Sequence, residues 1–245
     1  MANFKLTIAY DGTNYHGWQR QKDVRTIQEA MEDAVFAICH QRTEVAGCGR
    51  TDTGVHAYQY TCNFHAETTT SAFKMPVSLN AFLDKDIRVA KCEIVDDGFH
   101  SRFDATGKTY CYTICTSQFG NPFYRNFSWH YYSGVDVDKM REAIPYILGE
   151  HDFKCFMATG SPIKNTVRTI TGLEVRQEGE LIKILVTANG FLYNMVRIIA
   201  GTLVYVGNGR MTPADVAEVV ATGDRTMAGM TAPPQGLCLV RAYYD

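Results

Sequence analysis

The 245-residue chain has eight cysteines, yet no two are spaced Cys-x-x-Cys. Cys111 and Cys115 lie four apart in a strand-like segment, so both point to one face. That spacing suits neither tetrahedral zinc nor a redox dithiol. The cysteines read as small buried hydrophobes in a reducing cytoplasm. No apolar run is long enough to span a bilayer. The opening Met1-Ala2-Asn3-Phe4-Lys5 lacks the apolar stretch of a signal peptide. Charge of either sign is not in excess: 24 basic against 26 acidic side chains leave −2, so the whole molecule is no generic polyanion binder. A Walker loop, a Gly-x-Ser-x-Gly elbow and a His-Glu-x-x-His pair are all missing. Gly47-Cys48-Gly49 follows a strand, but no helix opens behind it, so it is not a dinucleotide fingerprint. These gaps point away from ATP, nicotinamide and metal. His16, His56 and His65 are isolated, without ligand spacing, and read as structural or solvated.

What is present suits a globular enzyme of one large or two ordinary domains, with 46% hydrophobic and 20% charged residues. Alternation predicts strands over 4–10, 45–48, 58–64, 87–95 and 108–115. A capping box at Thr26 and Glu29 opens a helix to about residue 40. Pro76 starts a short helix to 83. Asp136 caps a helix over 137–148, which Pro145 should kink or break. A hairpin follows over 167–176 and 181–188. Gly190 opens a helix expected over 191 to about 206, Thr212-Pro213 caps another through 221, and a strand follows over 237–243. The order is β-α-β-β-α-β twice, with one extra helix. It predicts an α+β fold of two ferredoxin-like halves sharing a mainly antiparallel sheet, helices on one face and a central cleft. Domains of 1–105 and 106–245 are expected, the first carrying the site loop. The second would complete the site and supply a dimer surface.

Between the strands at 45–48 and 58–64 runs Gly49-Arg50-Thr51-Asp52-Thr53-Gly54-Val55-His56-Ala57. Glycines here permit a tight return, and a charged pair in such a loop is a functional candidate. Taken alone, it reads more readily as a solvated turn with a surface ion pair. Tyr110 and Tyr112 share one strand face. Arg197 lies near Tyr193, Asn194 and Gly201 at helical spacing. Basic and aromatic residues interleave over 15–25 and 99–108, a mixture suited to phosphate contact and base stacking.

In order along the chain, five stretches resemble TruA-type tRNA pseudouridine synthases. They are Tyr10-Asp11-Gly12-Thr13 with Gly17-Trp18-Gln19, the loop 49–57, Phe99-His100-Ser101-Arg102-Phe103 with Lys108-Thr109-Tyr110-x-Tyr112, Gly149-Glu150-His151-Asp152-Phe153, and Phe191 with Asn194-Met195-Val196-Arg197. Ala232-Pro233-Pro234-Gln235-Gly236-Leu237-x-Leu239 closes the match. The family normally has Ala at Thr53 and Ser101 and Pro at Asp84. The resemblance implies an isomerase acting on uridines 38, 39 and 40 of the tRNA anticodon arm, without cofactor or metal. It implies a cytoplasmic homodimer, with no part for DNA or a membrane. By the same resemblance Asp52 is catalytic and Arg50 is paired with it. Tyr110 stacks on uracil, and Arg197 and Leu237 complete the substrate site. Binding tRNA at −2 net charge requires a positive cleft, expected from the basic residues of 20–25 and 102–108 with Arg50, Arg168 and Arg197. Two rivals remain: a non-catalytic RNA-binding protein, and a hydrolase that releases the base and needs a second carboxylate.

Overall fold

A computed structural model describes residues 1–244. The chain divides into two compact units. One comprises Met1–Thr106 together with the chain from Cys238 onward, and the other Gly107–Leu237. Both are α+β, with mainly antiparallel strands. No helix among the described residues is long and apolar enough to cross a membrane.

The first unit runs β1 (Ala2–Tyr10), α1 (Ile27–Cys39), β2 (Ala46–Gly47), β3 (His56–Ala66), α2 (Met75–Phe82) and β4 (Ile87–Val95). Its sheet order is β4-β1-β3 with β2 on β3, all antiparallel. This is the ferredoxin-like order, and alternation sets it: Phe4, Leu6, Ile8 and Tyr10 of β1 all face inward and are buried. Thr26 Oγ1 accepts the Glu29 N–H at 3.3 Å and starts α1. The Glu29 carboxylate does not close the expected box; it lies 3.4 Å from Arg20.

Sequence order puts the last strand, β10 (Leu237–Tyr243), in the second domain. In the structure all but its first residue belong to the first unit. It pairs in parallel with β3, Cys238 opposite His56 and Leu239 opposite Ala57. Backbone pairing, which composition does not reveal, decides this.

The second unit runs β5 (Gly107–Cys115), β6 (Trp129–His130), α3 (Val137–Glu142), β7 (Gly149–Asp152), β8 (Val167–Glu178), β9 (Leu181–Ala188), α4 (Met195–Gly207) and α5 (Pro213–Thr222). Its strand order is β5-β9-β8-β7, with β6 on β5. The helix expected over 137–148 ends at Glu142, and Pro145 lies in a separate 3-10 turn, Ile144–Tyr146. Proline lacks the N–H that would continue the helix. The helix expected from Phe191 begins at Met195, because Asn194 is left-handed at φ 60°.

Candidate active site

The loop between β2 and β3 carries Asp52 half-buried, with Arg50 and Thr53 exposed. Gly54 turns it at φ 77°, and the Asp52 carbonyl accepts the Val55 N–H at 3.1 Å. Gly49 has no positive φ, so its role differs from that of Gly54. Its carbonyl accepts the hydroxyl of Tyr60, which stacks on Trp18 at 4.3 Å between centroids. The Tyr10 hydroxyl is 2.9 Å from Thr51 Oγ1. These aromatic rings form a firm floor under the turn.

Arg50 is not ion-paired with Asp52. Its Nε donates to Gln19 Oε1 at 3.1 Å, and Gln19 in turn donates to Gln28 at 3.0 Å. The guanidinium is therefore steered sideways by the 15–25 segment. In that segment Arg20 is held by Glu32 at 2.7 Å and Arg25 by Asp84. Asp84, which stands where the resembled family has Pro, thus engages one of the basic residues expected to face RNA. The sequence pattern assigns Gln19 no role of its own and leaves His56 isolated. The structure buries His56 at 3% exposure, and its Nδ1 accepts the Gly12 N–H at 3.0 Å. The readable signal was Asp11-Gly12, a turn glycine whose bare backbone permits close approach.

The second unit holds Tyr110, Arg197 and Leu237. Tyr110 sits on β5 opposite Val186, only 8% exposed, with Phe191 edge-on at 5.0 Å. Two residues on, Tyr112 is fully buried and donates its hydroxyl to the Pro233 carbonyl at 2.7 Å. Burial pushes the Tyr112 phenol well above its usual range, so it stays protonated.

Arg197 leaves the first turn of α4. Its Nε donates to the Ala232 carbonyl at 2.7 Å and its Nη1 to Asn194 Oδ1, also at 2.7 Å. The Ala232 N–H returns to the Arg197 carbonyl at 3.1 Å. Gly201 and Gly229 let the 229–232 backbone lie against α4, since a Cβ on Gly201 would be 1.9 Å from the Met230 carbonyl oxygen. The chain then passes Gly236, where a Cβ would strike the Tyr112 ring at 2.7 Å, and reaches Leu237, 6% exposed. Within this unit the stacking candidate, the arginine and the leucine are therefore tied into one framework through Phe191, Ala232 and Tyr112.

Comparison with known proteins agrees along the whole chain. The family model described as tRNA pseudouridine synthase matches residues 6–104 and 143–245. "tRNA pseudouridine synthase A 2" of Clostridium perfringens is 46% identical over 244 residues, covering 100% of both chains. "tRNA pseudouridine synthase A" of Clostridium acetobutylicum is 47% identical and that of Thermoanaerobacter sp. strain X514 is 43% identical, each again covering 100% of both chains. With matches of that length and the motif residues placed as described, the chain belongs to the tRNA pseudouridine synthase family.

Proposed function

We propose that the protein converts uridine to pseudouridine at positions 38, 39 and 40 of the tRNA anticodon stem-loop, with Asp52 as the reacting carboxylate. The observation that carries this is full-length similarity to tRNA pseudouridine synthases A, together with one carboxylate on the 49–57 loop. The enzyme is an isomerase. The reaction breaks N1–C1′, turns the uracil and joins C5 to C1′. C5 gives up its proton, N1 gains one, and nothing is oxidised.

A glycosidase needs two carboxylates because water must replace the leaving group. Here the base is recaptured, so one suffices. Asp52 acts ionised, either adding to C1′ or removing a ribose proton. The uridine first leaves its stack, at a cost of roughly a few kcal/mol. Stacking on Tyr110 recovers on the order of 1–3 kcal/mol, and the Tyr110 hydroxyl serves the C5 proton. Arg50 and Arg197 bind substrate, and Leu237 keeps water from the intermediate. The protein works in the cytoplasm as a homodimer that presents two basic surfaces to tRNA.

The test uses tRNA tritiated at uracil C5. Wild-type protein should release label without releasing the base, and Asp52→Asn should bind tRNA yet release none. Free uracil among the products, or no label release by wild type, would overturn the reading.

A further inference from the structure

Asp52 lies on a short peptide that the segment 11–18 of the same unit grips along its length. Gly17, at φ 81°, is the point nearest the Asp52 peptide itself. A Cβ there would fall 2.3 Å from the Thr51 carbonyl oxygen and 3.1 Å from the Asp52 carbonyl carbon. Next to it the Trp18 N–H donates to the Thr51 carbonyl at 3.0 Å. The Gly54 N–H donates to the Tyr15 carbonyl at 3.3 Å, so the far side of the turn is held as well. At the start of the segment, a Cβ on Gly12 would fall 2.0 Å from the Val55 carbonyl oxygen. The Gly12 N–H is bound by His56 Nδ1 at 3.0 Å, and Asp11 Oδ1 lies 3.2 Å from that nitrogen while accepting the Thr13 N–H at 3.0 Å.

Nearly every one of these contacts goes to main chain of residues 51–55 or to the buried side chain of His56. None involves the Asp52 carboxylate. The segment therefore restrains where the carboxylate can be, without touching the reacting atoms. Displacement of a reacting group by about 1 Å can cost on the order of 100-fold in rate.

We propose that Gly17 and His56 are positioning residues for Asp52: Gly17 by admitting the 11–18 backbone against the Thr51–Asp52 peptide, His56 by anchoring Gly12 to the strand that follows the turn. This rests on Asp52 being the reacting carboxylate. A methyl at Gly17 meets backbone on the opposite side, so the Asp52 peptide must move. His56→Leu leaves the Gly12 N–H without its acceptor. His56→Asn puts an amide oxygen close to the Nδ1 position and restores it.

The experiment is steady-state tritium release by the full chain, normalised to the folded fraction from a thermal melt, with KM for tRNA measured in parallel. Gly17→Ala and His56→Leu should lower kcat on the order of 100-fold and 10-fold respectively, with KM within about twofold. His56→Asn should recover most of the His56→Leu loss. A purely structural role would lower the melting temperature and leave kcat per folded molecule unchanged, and that result overturns the proposal. If Gly17→Ala does not fold, the two His56 variants decide alone, and equal turnover by both overturns it. Asp52→Asn run alongside separates the two readings. Activity in that variant defeats the assignment of Asp52; its inactivity beside a fully active Gly17→Ala defeats only the positioning role.

Discussion

Thr53 is exposed at the tip of the Asp52 turn, so its hydroxyl and methyl have room that an alanine would not need. Thr53→Ala should leave tritium release within about twofold of wild type, as for other surface changes; a tenfold loss would show that the hydroxyl takes part. Ser101 is different. It is fully buried, and its N–H and Oγ both donate to Asn63 Oδ1, at 2.8 and 2.7 Å. Asn63 donates to Asn3 at 3.0 Å, and Asn3 to the Phe99 carbonyl at 2.9 Å, so the network ties β1 and β3 to the following loop. Ser101→Ala removes one bond but leaves the Asn63 acceptor occupied, a loss of about 1 kcal/mol. Asn63→Leu strands two donors of Ser101 and should cost about 1–3 kcal/mol for each. Urea denaturation of both variants checks the ranking, and equal losses would refute it. The placement of Asp52 on a loop, Tyr110 on a strand and Arg197 on a helix was legible in the sequence. The Gln19 contact of Arg50 was not, because 31 positions separate the two and no pattern links them.

At the scale of elements, caps and alternation were legible because they are local. Asp136 caps α3 by accepting two N–H groups, and Thr212 and Asp215 form a complete capping box on α5. Thr212→Ala should therefore cost about 1 kcal/mol. The edge strand β7 was not legible. Its sequence Gly-Glu-His-Asp has no apolar alternation, and only pairing with β8 makes it a strand. Likewise β2 is two residues long where four were expected, since only Ala46 and Gly47 meet β3. On α4, Gly201→Ala sets two effects against each other. Helix propensity gains about 1 kcal/mol. Against that, the new methyl would overlap the Met230 carbonyl oxygen, and overpacking of this kind costs about 1–3 kcal/mol. Because rigid backbone stands opposite, the second effect should win: the variant should melt lower and, through Ala232, loosen Arg197. A higher melting temperature would show that the 229–232 loop yields easily.

For the whole molecule, Cys62, Cys92 and Cys155 among the free cysteines matter through their protons more than their reactivity. Burial pushes Cys92 and Cys155 up to about 12 and Cys62 well above its ordinary value of 9.0. The unfolded thiols ionise near 9.0, whereas the folded ones keep their protons until about 12. Between those values the unfolded state binds fewer protons, so stability falls as pH rises. The urea midpoint should therefore drop from pH 8 to pH 10.5, and it should drop less in a variant with Cys92→Ala and Cys155→Ala. A midpoint indifferent to pH would contradict the neutral state of these thiols.

The return of β10 to β3 also has a consequence for synthesis. His56 and Ala57, directly after the Asp52 turn, pair with Cys238 and Leu239, a separation of 182 residues. Local elements of the first unit can form as they leave the ribosome, but this edge of β3 waits until Cys238 and Leu239 have been translated. Closing so long a loop is entropically slow, and contacts of this range delay folding. The strand that follows the Asp52 turn thus gains this neighbour late, and a nascent chain stopped before residue 238 would carry the turn on an unfinished sheet.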